Sequence, residues 1–355
     1  MKKNTLFTLI VAILLIIVGG ISSLFLGFRL NQDYENHVVK ENYPYDNSKT
    51  LIITLQTNAF VQLRMSSTDS TQLNYHGNSL DTSQIDTLNW QTEKKNEQTT
   101  LNITTKETKQ INKFNFFPFD SAHNNSGSIN LEIAPNYEKI IINGRSQYLE
   151  LASLDFKELV IKSQQYNVSM HDSRLDDLTI ENNQGAALGK VIVKNNLNIS
   201  AKNGEISLTD SKAKSFILNN ENNDIFTANT SGDLVAKTNN GQISVNHNSG
   251  TIDLATKTGD IFLHTNLDKK HNPITAISDH GDLDFEFSEK QFLEDSVLIT
   301  SDIGEITELF NKNLTSRTRY EKGKGKPVIS AHSTSGDISV QAIGEDDDHY
   351  GDDFN

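Results

Sequence analysis

The apolar residues of this chain recur at a fixed interval, and that interval predicts its secondary structure. Between Thr238 and Thr265 three glycines stand nine residues apart, at Gly241, Gly250 and Gly259, and each is followed by a polar residue and an isoleucine. We take Gly241 and Gly259 as marks and step along the chain by 18 or 19 residues, with longer steps toward the C-terminal end. The equivalent marks are Gln147, Tyr166, Gly185, Gly204, Asn223, Gly281, Gly304 and Gly336.

Three positions around every mark are apolar. Seven residues before the marks stand Ile140, Leu159, Leu178, Leu197, Phe216, Leu234, Ile252, Ile274, Val297 and Ile329. Five before stand Ile142, Ile161, Ile180, Ile199, Leu218, Ala236, Leu254, Ala276, Ile299 and Ala331. Two after stand Leu149, Val168, Ala187, Ile206, Ile225, Ile243, Ile261, Leu283, Ile306 and Ile338. Four after the marks the pattern weakens, because Gly189, Thr227 and Glu308 do not fit.

This pattern predicts two short strands per unit. Residues two apart in a strand face the same side, so each unit presents inward pairs of apolar side chains. Glycine and asparagine suit the marks because tight corners often need positive φ. An antiparallel meander with hairpin turns is the alternative, but a meander needs no fixed period, whereas a repeat of this kind is typical of solenoids. We therefore predict an all-β fold, a β-solenoid or β-helix-like stack of two-strand coils with 18–23-residue repeats.

The regular solenoid is predicted over residues 136–343. Residues 51–135 alternate less regularly and are predicted to form the first coils or an N-terminal cap that covers the open sheet edge. Residues 31–50 are interpreted as a polar stalk, and residues 344–355 as an acidic, disordered tail.

The first thirty residues differ from the rest of the chain in charge and hydrophobicity. Lys2 and Lys3 precede an uncharged run from residue 4 to residue 28, which is long enough for a helix to cross a bilayer. We interpret residues 1–30 as a cytoplasmic stub and transmembrane signal anchor, in the membrane through residues 5–28, with the C-terminal domain outside the cell. The alternative is a cleaved signal peptide with Gly20 and Ser22 before the cut. The apolar run continues beyond that point, which favours the anchor.

Composition narrows the functional classes. The 355 residues have a formal net charge of -14, which opposes binding to nucleic acid and attracts cations such as cationic peptides. The chain has no cysteine, so it forms neither disulfides nor thiolate metal sites.

Four similar phrases carry a resemblance to a known family. They are "SGDLVA" (231–236), "TGDIFL" (258–263), "HGDLDF" (280–285) and "SGDISV" (335–340). The chain resembles, over roughly residues 50–343, the bacterial putative-adhesin family, a β-strand-repeat domain of unknown function found in envelope proteins of Gram-positive bacteria. The resemblance implies a β-helix-like fold outside the membrane with a binding, adhesion or envelope-stress-sensing role, and it carries no catalytic motif.

The residues that follow the later marks form a candidate site, which we call the acidic edge. In a solenoid they would stack along one corner: Glu205, Asp224, Asp260, Asp282, Glu305 and Asp337. In the structural interpretation each carboxylate accepts hydrogen bonds from backbone N–H groups of the turn. In the functional interpretation the acidic edge binds Ca²⁺ weakly or attracts cationic peptides.

Two further features bear on function. The motif "FNFFPF" is expected to pack into the core or cap, or else to form an exposed partner-binding loop through Phe114, Phe116, Phe117 and Phe119. No metal-ligand spacing, nucleophile elbow or phosphate loop occurs in the sequence. We therefore expect binding to an envelope component, a peptide or another protein, without catalysis or cofactor. The alternative is a glycan-acting β-helix enzyme of the cell surface, which would need paired acids or a basic cluster.

Overall fold

A computed structural model describes residues 37–77, 87–106, 127–163, 165–265, 272–288, 292, 295–308 and 318–342 of the chain. The predicted membrane anchor (1–30), the aromatic motif and the acidic tail (344–355) lie outside these residues. Within the described part, no helix combines the length and the apolar character needed to cross a membrane.

The described residues form 28 strands, named here in chain order: β1 His37–Pro44, β2 Thr50–Gln56, β3 Phe60–Met65, β4 Ser70–Gly77, β5 Thr87–Lys95, β6 Gln98–Lys106, β7 Ser128–Ile133, β8 Lys139–Arg145, β9 Tyr148–Ala152, β10 Asp155–Ser163, β11 Asn167–His171, β12 Arg174–Glu181, β13 Ala186–Gly189, β14 Ile192–Val193, β15 Asn196–Ala201, β16 Ile206–Thr209, β17 Lys212–Asn220, β18 Ile225–Asn240, β19 Ile243–Ser249, β20 Ile252–Thr258, β21 Ile261–Thr265, β22 Ile274–His280, β23 Leu283–Phe287, β24 Val297–Ser301, β25 Ile306–Glu308, β26 Arg319–Lys322, β27 Ile329–Ser335 and β28 Ile338–Ala342.

These strands build two parallel stacks. Sheet A contains the first strand of each coil, in the order β6-β2-β8-β10-β12-β15-β17-β18-β20-β22-β27-β24. Sheet B contains the second strand, in the order β7-β3-β9-β11-β13-β16-β18-β19-β21-β23-β28-β25. The long strand β18 contributes its start to sheet B and its end to sheet A.

The parallel pairing between coils confirms the solenoid prediction and rules out the meander. Equivalent residues lie directly opposite one another, so that Leu159 pairs with Ile140 on one side and with Leu178 on the other. All the predicted inward positions except Ala187 are buried, and they belong to one continuous core between the two sheets. Like residues thus form ladders along the stack.

The prediction for Ala187 is wrong by one residue. Ala186 and Leu188 face the core instead, and they pair with Val168 and Met170 of the neighbouring strand. The corner of this coil is one residue shorter than in the other coils. A Cβ atom on Gly204 would lie 1.3 Å from the carbonyl oxygen of Gln184, so Gln184 rather than Gly185 occupies the corner level with Gly204.

A third short strip joins sheet B to the next strand of sheet A. In the middle coils Arg174, Ile192, Lys212 and Ser231 pair successively along it. The chain enters the strip through residues with positive φ, one in each coil: Ser153, Asp172, Lys190, Asp210, Asn229 and His247. The coils are therefore two long strands and one short one, which refines the predicted two-strand coil.

The stacking order departs from the chain order at both ends. The coil β2–β3 lies one step nearer the middle of the stack than the later coil β6–β7. In the same way, the C-terminal coil β27–β28 lies one step nearer the middle than the earlier coil β24–β25. Antiparallel strands cover the ends: β5 pairs with β6, β4 with β7 and β26 with β24. Residues 51–135 thus contribute both coils and a cap.

The predicted polar stalk is wrong for its described part. Strand β1 lies antiparallel to β4, and therefore belongs to the cap of sheet B. Tyr43 Oη donates a hydrogen bond of 2.7 Å to Asp46 Oδ2, to which Thr99 Oγ1 also donates at 2.8 Å. The polar composition of this segment reflects edge pairing and hydrogen bonding rather than a free linker.

Candidate functional site

Four members of the acidic edge form a continuous ladder along the stack. Oδ1 of Asp260 accepts a 2.8 Å hydrogen bond from the backbone N–H of Asp282. Asp282 accepts in the same way from Asp337, and Asp337 accepts from Glu305, both at 2.8 Å. Each aspartate therefore fastens the next coil of the stack, and the order of the ladder follows the stack and not the chain.

The remaining members of the acidic edge are more isolated. Asp224 Oδ1 accepts from the backbone N–H of Gln242 at 2.8 Å, whereas the Glu205 carboxylate has no hydrogen-bond partner among the described residues. At the opposite corner Asp233 accepts from the backbone N–H and the hydroxyl of Thr251, and these hydrogen bonds lower the pKa of Asp233. The structural interpretation therefore holds for the aspartates, with the difference that the N–H belongs to the next coil.

Weak calcium binding at the acidic edge stays a prediction. The described residues contain no group of three or more His, Asp or Glu side chains placed to hold a metal ion. Calcium titration of the chain and of a variant with Asn or Gln throughout the acidic edge tests the prediction, because equal affinities would remove it.

The sequence analysis did not predict a series of hydroxyl groups beside the acidic edge, which we call the hydroxyl ladder. Thr256 Oγ1 donates to the carbonyl oxygen of Gly241 at 3.1 Å, and Ser278 Oγ donates to that of Gly259 at 3.1 Å. The same contact recurs at Thr238, Ser333 and Ser301. The available signal was a Ser or Thr three residues before each of these marks, which gives the corner motif Ser/Thr-x-x-Gly followed by an acid or amide.

Glycine is required at these marks by the approach of neighbouring coils. A Cβ atom on Gly259 would lie 2.1 Å from the carbonyl oxygen of Gly241, and one on Gly281 would lie 2.0 Å from that of Gly259. Both distances are far below van der Waals contact, so any side chain would push the coils apart. The corner motif thus gives a tightly closed corner in the C-terminal half.

Negative charge accumulates next to this corner, on the outer face of sheet B. Burial raises the pKa of Asp284, and the nearby carboxylates of Asp282, Asp260 and Glu286 raise it further. Glu286 is itself held by His264, whose Nδ1 lies 2.5 Å from Oε2, and by the amide of Gln341. The carboxylates around Asp284 therefore repel one another.

In the N-terminal half of the stack, the side chains beside this corner leave a depression. There a groove of about 1010 Å³ crosses six successive strands of sheet A, from β2 to β17. We call it the corner groove; its lining residues are Gln56, Asn143, Gly144, Arg145, Lys162, Ser163, Gln165, Glu181, Asn182, Asn183, Ser200, Ala201, Lys202 and Glu221. Its floor is formed by buried Ser163, Asn182 and Ala201, and its walls are exposed polar side chains.

The other predicted site residues are distributed as follows. Phe114, Phe116, Phe117 and Phe119 lie outside the described residues. In strand β26, which covers β24, Arg319 pairs with Glu321 at 2.8 Å, and Lys322 Nζ donates to the carbonyl oxygen of Phe292 at 2.7 Å. Both cations are therefore engaged within the C-terminal cap.

The fold and its corners define an all-β solenoid domain whose coils are fastened by backbone pairing and by aspartate and hydroxyl ladders. A family profile described as Toastrack DUF4097 matches residues 49–341. The chain belongs to this family, which confirms the resemblance inferred from its Gly-Asp phrases. No curated protein matches the chain significantly.

Solved structures with related folds come from several bacteria. A "putative adhesin" from Parabacteroides merdae is 7% identical with a TM-score of 0.41, and the match covers 88% of this chain and 98% of that one. A "putative adhesin" from Bacteroides fragilis is 13% identical with a TM-score of 0.36, over 86% and 97%. A "putative cell adhesion protein" from Clostridium sporogenes is 10% identical with a TM-score of 0.26, over 87% and 100%.

Proposed function

We propose that this protein binds a component of the bacterial cell envelope and acts in adhesion or in sensing envelope stress. The observation that carries the proposal is the corner groove, which is lined mainly by polar residues and runs along a framework that backbone pairing makes rigid. A solenoid offers such an extended surface without moving parts, since each coil is held by both neighbours. Pre-organised surfaces bind with less loss of conformational entropy than flexible ones.

The proposal includes a location. We infer that residues 5–28 anchor the chain in the membrane and that the solenoid lies outside the cell. The uncharged run from residue 4 to residue 28 and the preceding lysines support this orientation.

Because the chain has no cysteine, one introduced cysteine reports on location. Lys257→Cys places a thiol at an exposed corner of the solenoid, and Asn4→Cys serves as the matched control near the N-terminus. A membrane-impermeant maleimide should label the first variant in intact cells, and the second only after permeabilisation. Protection of Lys257→Cys in intact cells would contradict an extracellular solenoid.

Binding is tested with the purified full-length chain in detergent. We expect the chain to sediment with isolated envelopes, and to lose this association when protein, glycan or lipid is selectively removed. The control is an unrelated domain of similar net charge that carries residues 1–30 of this chain. Sedimentation no greater than that of the control would remove the proposed binding role.

The carboxylates of the corner groove do not favour the glycan-acting enzyme. Glu181 and Glu221, the carboxylates that line the corner groove, lie 3.4 Å and 4.0 Å from lysines 162 and 202. Each acid is therefore neutralised by a neighbouring coil, and binding remains the function that the geometry supports.

A further inference from the structure

The side chains of the corner groove divide into engaged and unengaged groups. Asn182 is engaged, since its side chain contacts both the backbone N–H and the carbonyl oxygen of Gly185. Four other amide side chains in the groove have no hydrogen-bond partner among the described residues: Gln56, Asn143, Gln165 and Asn183. Amide groups supply both donors and acceptors, so these four present free hydrogen-bonding capacity to whatever occupies the groove.

The same corner shows the opposite behaviour farther along the stack. Asn222 Nδ2 donates to Asn203 Oδ1 at 3.1 Å, and Asn240 Nδ2 donates to Asn222 Oδ1 at 3.0 Å. There the amides form a ladder and bond to one another between coils. The four amides of the corner groove thus lack the ladder that joins amides to one another farther along the same corner.

All but one of the charged side chains that line the corner groove form ion pairs within the described part of the chain. Lys162 pairs with Glu181 and Lys202 with Glu221. Arg145 lines the groove, is exposed and has no ion pair with a described residue. A guanidinium group binds carboxylate or phosphate through two parallel hydrogen bonds. The groove therefore offers many neutral hydrogen-bonding groups and one unneutralised anion site.

We propose that the corner groove binds an extended saccharide chain that has an anionic group on the sugar residue next to Arg145. Sugar hydroxyls match the free amides as donors and acceptors. The strands beneath the groove repeat at about 4.8 Å, a spacing close to that of successive residues in an extended polysaccharide. A peptide fits less well, because Ala201 is the one apolar side chain that lines the groove; the other apolar surface comes from the carbon atoms of polar side chains and offers no pocket for a large apolar side chain. This proposal rests on the proposed binding function and names its ligand class.

The test uses the full-length chain in a zwitterionic detergent that lacks a sugar head group. The probes are an oligomer of α-1,4-linked galacturonic acid and a neutral β-1,4-linked glucose oligomer, titrated by calorimetry. We expect both to bind, with the acidic oligomer tighter. Arg145→Ala should lower the affinity for the acidic oligomer by about tenfold, because one charge-assisted contact is lost. The affinity for the neutral oligomer should stay unchanged. Arg174→Ala, an exposed arginine at another corner, is the matched control.

A second pair of variants tests the location. Ser200 lines the groove, and Ile277 is an exposed residue in the same outward column of sheet A, four coils farther along. Ser200→Trp should abolish binding of both oligomers, whereas Ile277→Trp should leave it intact, with unchanged thermal unfolding midpoints for both variants.

The outcomes separate this proposal from the proposed function. Binding of neither oligomer, equal effects of the two tryptophan variants, or equally tight binding of a polyglutamate peptide would overturn the saccharide site. If Ser200→Trp still sediments with envelopes like the unmodified chain, the binding role stands and the groove is not its site. If the unmodified chain does not sediment with envelopes, the proposed function itself is contradicted.

Discussion

At the residue scale, the buried hydroxyl groups of the solenoid are of two kinds. Those of Thr256 and Ser278 donate to carbonyl oxygens of the preceding coil and thereby help to hold the stack together. The hydroxyl of Thr227 is buried within an apolar column, between Leu208 and Val245, and has no hydrogen-bond partner in the described part of the chain. A buried polar group without a partner costs free energy on folding, while a bonded one contributes a modest gain.

Exchanging each threonine for valine distinguishes the two kinds. Thr227→Val should raise the free energy of unfolding by about 1 kcal/mol, because the unsatisfied hydroxyl is replaced by a methyl group of similar shape. Thr256→Val, the matched control, should lower it by about 1–3 kcal/mol, because the bond to Gly241 is lost. Urea unfolding measures both changes. Destabilisation of the two variants to the same extent would mean that the position of the hydroxyl is irrelevant.

At the element scale, the two ends of the stack have the same arrangement of coils. In each, the coil that would lie outermost in chain order is placed one step inward, so that β2–β3 and β27–β28 pair with a coil on both sides. Antiparallel strands then cover the last coil of sheet A, and unpaired strand edges that could template aggregation are reduced. The ends are thereby locked by segments distant in sequence.

Truncation tests this arrangement. A chain ending after residue 328 lacks β27–β28, so β24–β25 loses the surface on which it stacks, and one side of β22–β23 is exposed. We expect amide hydrogen exchange of β22–β25 to accelerate strongly, while that of β8–β12 stays unchanged. A chain ending after residue 342 removes the predicted acidic tail alone and should exchange like the full chain. Slow exchange of β24 in the shorter chain would contradict the inserted position of β27.

At the scale of the whole molecule, charge is distributed unevenly along the stack. The net charge is -14, and the acidic edge and Asp284 concentrate part of it in the C-terminal half. In the N-terminal half, acids and lysines of neighbouring coils pair across the outer face, as Lys139 does with Glu158 at 2.6 Å. Exposed pairs of this kind contribute little stability, but they leave the corner groove without an excess of negative charge.

The pH dependence of stability reports on the acidic half. Burial and neighbouring carboxylates raise the pKa of Asp284 above the unfolded value of 3.8, so its contribution to stability is present in acid and lost as the pH rises through the folded pKa. Asp284→Asn should therefore stabilise the protein at neutral pH, with a gain that vanishes below about pH 3.8.

Asp233→Asn is the opposite control. Hydrogen bonds from Thr251 lower the pKa of Asp233, so its contribution is present at neutral pH and lost as the pH falls through the folded pKa. This variant should be destabilised at neutral pH and should approach the unmodified chain in acid. Unfolding midpoints across the pH range measure both, and a gain for Asp284→Asn that grows in acid would reverse the assigned sign.

The sequence was sufficient wherever a residue acts through its own chemistry and its place in the repeat. The apolar columns identified the core because a period of 18 or 19 residues places like side chains on the same inward face, and the recurrent Gly-Asp phrases identified the family. Pattern alone failed at Ala187, where a corner one residue shorter shifts the inward face without changing the apolar character of the segment. It also failed at residues 37–44, where polar composition is shared by linkers and edge strands.

Repetition along the chain thus determined the all-β solenoid, its core and the line of carboxylates at one corner. Tertiary structure alone decided the inward placement of the terminal coils, the backbone N–H that each aspartate accepts, and the existence of the corner groove. The physical reason is that a repeat specifies which residues are equivalent, whereas stacking order and groove shape depend on which coils touch. Those contacts join residues as far as 91 positions apart, as between Tyr45 and Asn136.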